Sequence, residues 1–75
     1  METTLDRVHP GMEATVAHIS AEEPLRRRLA DFGLVPGTAV QCRYRSPGGD
    51  VTAIALRGSV IALRTRDLTK IAVRL

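Results

Sequence analysis

Glycine and proline punctuate this chain at 10–11, 24, 33, 36–37, 47–49 and 58, and the spacing of those breaks limits what it can fold into. The intervals suit strands of about four to eight residues, or one short helix, and nothing longer. His9–Pro10–Gly11 is a turn signal, and Ala14–Ile19 behind it alternates as a first strand, with Val16 and either Ala14 or His18 on one face. Thr38–Arg45 is a second strand, its Val40, Cys42 and Tyr44 inward and its Gln41, Arg43 and Arg45 outward. Ser46–Asp50 is a hairpin loop. Val51–Arg57 follows, with Ile54 and Leu56 on one face and Ala53 and Ala55 on the other. Gly58–Ser59 turns the chain into Val60–Arg64, where Ile61 and Leu63 share parity. Thr65–Thr69 is polar and no longer than one turn, with Thr65 placed to cap it. The segment 70–75 closes the chain with Ile71 and Val73 inward.

The one helix lies between the first two of these strands, from Pro24 to about Asp31. Ser20 and Glu23 have capping-box spacing. Proline suits the first helical position, however, and the residue before it resists helical angles, which favours Glu23 as the cap. Leu25 and Leu29 are four apart and stack on one face, with Phe32 three further on. Gly33 stands where a left-handed residue ends a helix, and Leu34 then folds back on the last turn. Pro36–Gly37 makes a second reversal at once. Five short strands, tight turns and one helix predict a mainly β fold. The arrangement is a small, partly open five-stranded SH3-like barrel, in which closure limits exposed sheet edges.

At 75 residues the chain is expected to be a single domain over 1–75. Phe32 and Tyr44 are its only aromatics, so Val, Ile, Leu and Ala must build the core, with these two rings expected among them. Cys42 is the sole cysteine, which excludes an internal disulfide and favours a reducing compartment. No signal peptide or membrane-spanning run is legible, and the expectation is a soluble cytoplasmic protein. The net charge of +3 is unevenly spread. Residues 1–24 set Arg7 against five carboxylates, whereas residues 25–75 set ten cations against Asp31, Asp50 and Asp67. An arginine-rich half suits nucleic acid, a phosphate-bearing partner or an anionic membrane surface.

Leu25-x-x-x-Leu29 followed by Phe32-Gly33-Leu34-x-Pro36-Gly37-Thr38 resembles the ferrous iron transport protein A family, FeoA, and the related SH3-like domains of iron-dependent repressors. Gly58-x-x-x-Ala62-Leu63-Arg64, the final Ile71-x-Val73, and upstream Leu5, Pro10–Gly11 and Ala14–Ile19 extend the likeness from about residue 4 to residue 75. Leu68 stands where the family often has a small residue. The resemblance implies a small non-enzymatic cytoplasmic accessory of ferrous iron uptake. It would bind the FeoB iron permease, a membrane protein with a GTP-binding domain, and regulate or assemble it. The resemblance supplies no agreed set of binding residues.

The residues themselves carry no catalytic constellation. Ser20, Ser46 and Ser59 lack a motif that places a base beside them. Pro47–Gly48–Gly49 precedes a strand and lacks the Lys–Ser/Thr of a phosphate loop. His9, His18 and Cys42 have no metal-ligand spacing, and Cys42 reads as a small buried hydrophobe; neither cofactor nor resident metal is expected. Two aromatics do not line a polyproline groove or a base-stacking platform. No specific nucleic acid is therefore expected, although salt-dependent contact of the arginines with a phosphate backbone stays open. Protein contact remains. The corner that holds Leu34, Val35 and Pro36, flanked by Arg26, Arg27 and Arg28, is the candidate partner site, with Leu34 expected to pack inward and Val35 outward. The alternatives are a nucleic-acid-associated small barrel and a freestanding regulatory domain that contacts an iron-dependent transcription factor.

Overall fold

The computed structural model describes all 75 residues. The elements are β1 (Glu2–Thr4), a 3-10 turn (Leu5–Arg7), β2 (Glu13–Ile19), α1 (Leu25–Asp31), β3 (Ala39–Arg45), β4 (Val51–Leu56), β5 (Ser59–Arg64), α2 (Thr65–Leu68) and β6 (Ile71–Arg74). All five expected strands are present. A sixth, three-residue strand precedes them and pairs Glu2 with Arg74 and Thr4 with Ala72. Every pairing is antiparallel. The order β1-β6-β2-β3-β4-β5 leaves β1 and β5 as the two edges of an SH3-like barrel that is open between them.

Leu5, Val16, Leu29, Leu34, Ile54, Leu68, Ile71 and Val73 are wholly buried. They belong to one aliphatic core of fifteen residues, and each such side chain contributes about 1.5–3 kcal/mol by leaving water. Leu68 is part of this core: α2 packs on the N-terminal 3-10 turn and delivers the leucine inward.

Two β-bulges explain where the alternation pattern misleads. In β2 the register against β6 shifts between Val16 and His18. Ala14 and Val16 therefore share the inner face, His18 is exposed, and Ile19 packs against the core. In β3 the register against β4 shifts between Cys42 and Tyr44. An extra residue in one strand inverts the side-chain parity beyond it. Val40 and Cys42 accordingly point inward, but Tyr44 is 64% exposed rather than in the core. Arg45, expected outward, is half-buried, and its guanidinium donates to the backbone carbonyls of Asp6 and Val8. That contact ties β3 to the N-terminal turn.

Smaller differences sit at the element ends. Neither Ser20 nor Glu23 caps α1. Pro24 itself occupies the N-cap position, and the Glu22 carbonyl accepts from the Arg26 amide at 2.9 Å. Thr65 does not cap α2, because its hydroxyl pairs at 2.8 Å with that of fully buried Thr52, which would otherwise lack a partner. The β4–β5 turn is Arg57–Gly58 rather than Gly58–Ser59. Both residues have positive φ, 49° and 79°, as a two-residue hairpin turn matched to strand twist demands.

Candidate functional site

The corner after α1 is built almost wholly by backbone hydrogen bonds. Gly33 has φ +93°, a left-handed conformation that strains any residue with a Cβ. The Leu34 amide donates to Leu29 O at 2.9 Å and the Gly33 amide to Ala30 O at 2.9 Å, the paired bonds of a Schellman helix end. Leu34 is thereby driven inward and is fully buried. The next reversal closes with the Thr38 amide donating to Val35 O at 3.1 Å. Pro36 fixes its second position, and Gly37, at φ +93°, supplies the positive φ of its third. Two bonds dock this turn on β2: Gly37 N to Val16 O at 2.8 Å and Val16 N to Thr38 O at 2.9 Å.

Thr38, the first residue of the expected second strand and the last of the FeoA-like pattern, clamps the corner. Its buried hydroxyl donates to Gly33 O at 3.0 Å, joining the two reversals. Arg57, from the β4–β5 turn, adds a long 3.4 Å contact to the same hydroxyl. A threonine directly after Pro–Gly was the only signal.

The structure sorts the six candidate residues into separate places. Leu34 offers no surface. Val35 is half-buried and Pro36 exposed, and both line a depression of about 280 Å³ whose other walls include His18, Ile19 and Arg26. Arg26, Arg27 and Arg28 are all exposed on α1, but they do not form one patch. A helix advances about 100° per residue, so the first and third of a triplet lie on opposite flanks. Arg26 faces the corner depression. Arg28 lines a second hollow of about 250 Å³, between α1 and β5, with Leu25, Phe32, Ala62, Arg64 and Asp67. Arg27 borders neither.

Phe32, expected in the core, is 43% exposed and stands at the rim of that second hollow. Leu34 has taken the inward position at the helix end, so the ring is left outside. His9 and His18 are exposed and Cys42 is buried. No three His, Cys, Asp or Glu side chains are grouped to hold a metal ion. No helix is long and apolar enough to cross a membrane.

Comparison with known proteins places these features in a recognised setting. A family model described as the FeoA domain matches residues 3–75. The solution structure of an FeoA protein from Chlorobium tepidum is 30% identical, with 97% of this chain and 70% of that chain covered at a TM-score of 0.91. The zinc complex of FeoA from Stenotrophomonas maltophilia is 25% identical, covers 95% and 88% of the two chains and has a TM-score of 0.83. That protein is described as a prokaryotic SH3 domain protein and put forward as a ferrous iron transport activating factor. A manganese-dependent transcriptional repressor, 22% identical over 97% of this chain and 41% of its own, shares the fold at a TM-score of 0.88. Among curated protein sequences none matches.

Proposed function

The chain belongs to the FeoA family, and from that premise we propose that it is a non-enzymatic cytoplasmic accessory which binds a FeoB-type ferrous iron permease and regulates or assembles it. Membership supports a role in ferrous iron transport; the partner and its contact surface are our reading. The family match across nearly the whole chain carries it, and the corner gives it a surface. Val35 and Pro36 are held by the Schellman bonds, the Thr38 clamp and the two bonds to β2. A partner that meets them encounters a pre-formed shape and loses little entropy on binding. Arg26, beside them, presents a guanidinium fork suited to a carboxylate on the partner. The basic 25–75 segment would further favour a position near an anionic inner leaflet.

The test is an affinity pull-down of tagged protein from detergent-solubilised membranes of its source cells, grown low in iron. The expected result is retention of a large GTP-binding iron permease at moderate salt. Val35→Glu should abolish that retention while the fold is unchanged. Recovery of a repressor or of nucleic-acid proteins, with the permease in the input but absent from the eluate, would overturn the reading.

A further inference from the structure

The two edges of the sheet differ. The β1 edge is three residues long. The β5 edge is six residues, about 20 Å of extended backbone, and it pairs with β4 in unbroken register from Leu56–Ser59 to Val51–Arg64. The bulges lie on β2 and β3, not here. Native edges are usually blunted by brevity, bulges, proline, charge or covering elements; β5 lacks the first three, carries one charge, Arg64, and has α1 beside it across a hollow rather than packed on its edge.

The hydrogen-bond phase identifies which backbone groups are free. The Thr65 amide donates to Asp50 O at 2.8 Å, so residues 50 and 65 form a hydrogen-bonded pair. Such pairs alternate along an antiparallel ladder. Thr52–Leu63, Ile54–Ile61 and Leu56–Ser59 are therefore the bonded pairs. The backbone amides of Val60, Ala62 and Arg64 point away from β4, and Ala62 and Arg64 line the hollow beside α1. All three residues are exposed, Val60 at 57%. The wall opposite is Leu25 and Phe32 on α1. Arg28 and Arg64 flank the hollow against one carboxylate, Asp67. Arg57, lying against Gly33 and reaching Thr38, braces the hairpin turn at the other end.

We propose that the β5 edge is a strand-addition site for an extended segment of a protein partner in which apolar and acidic residues alternate. Main-chain bonds to residues 60, 62 and 64 would supply affinity, and the period-2 alternation supplies selectivity. Apolar side chains would lie on Leu25 and Phe32, with acidic ones toward Arg28 and Arg64. A second copy entering by the same edge brings its own Arg28 and Arg64, like charge on like, which disfavours self-pairing. This site is distinct from the corner and does not depend on the permease reading.

The test titrates nitrogen-15-labelled full-length protein with an end-blocked peptide of alternating Glu and Val. We expect saturable shifts and slowed hydrogen exchange at the Val60, Ala62 and Arg64 amides. No binding is expected for the same peptide N-methylated at alternate residues, nor for its Lys–Val counterpart. Arg28→Glu with Arg64→Glu should weaken binding about tenfold. Ala62→Pro removes an outward donor and no ladder bond, and should lose the peptide while the remaining spectrum is retained. If Ala62→Pro unfolds, the N-methylated peptide alone decides. Equal binding of that peptide, absence of saturation, or shifts confined to the corner would each overturn the site. The same amides shifting with protein concentration alone would overturn the choice of a partner over a second copy.

Discussion

The two flanks of α1 share one helix and present opposite kinds of surface. On the corner flank the backbone amides are engaged. Those of Phe32, Gly33, Leu34, Val35, Gly37 and Thr38 donate to carbonyls of the helix end, the corner or β2, and the side chains of Val35, Pro36 and Arg26 face outward. On the β5 flank the reverse holds: a strand edge offers its amides, and the side chains of Leu25, Phe32, Arg28 and Arg64 form the walls. A surface of the first kind recognises shape. One of the second kind recognises an extended chain.

That contrast can be broken most forcefully at Leu34. Leu34→Ala removes a fully buried side chain at the helix end and should cost about 2–5 kcal/mol in a denaturant titration, loosening the corner more than the β5 edge as read by hydrogen exchange. Gly33→Ala adds a methyl group that meets only ordinary contacts, Arg57 and Leu56 at 3.7 Å, but places it at φ +93°. An expected loss of about 1–2 kcal/mol in the same titration would show that the conformation, not the packing, sets the corner. Thr38→Val deletes the hydroxyl that bridges to Gly33 O and should cost about 1 kcal/mol, with faster exchange of the Leu34 and Gly37 amides. The finest test separates the flanks by charge. Arg26→Glu should reduce permease retention several-fold, on the scale of one surface ion pair, roughly 1 kcal/mol. Arg28→Glu should leave that retention in place and weaken only the acidic peptide at β5. Equal effects of the two changes on both ligands would collapse the distinction.

Much of this architecture was legible in local patterns. Gly33 and Pro36–Gly37 announced both reversals, because a positive φ and a fixed φ are properties of single residues. The strands at 13–19, 39–45, 51–56, 59–64 and 71–74 follow the period-2 signal between turn residues. The inward fate of Leu34 follows from the helix-end motif. Phe32 and Tyr44 depart from the expected core for different reasons. Tyr44 lies past a bulge, and a bulge is a property of two strands in register rather than of one. Phe32 was displaced outward by a neighbour two residues on that fills the interior first.

The candidate site divides the same way. Three consecutive arginines beside a tight corner are visible in the chain, but their separation onto two flanks needs the helix and what stands on either side of it. Nothing in Val60–Arg64 distinguishes an edge strand from a central one, since the difference is whether another strand arrives. The short β1 is not legible in the sequence, because three residues carry too little alternation and its pairing is with β6, far along the chain. Turn positions, the helix stop and the aliphatic core were thus determined by residues acting on their own backbone and nearest neighbours. Bulge phase, the free β5 edge and the outward turn of both aromatics were decided only when distant segments met, because register and edge are relations between strands.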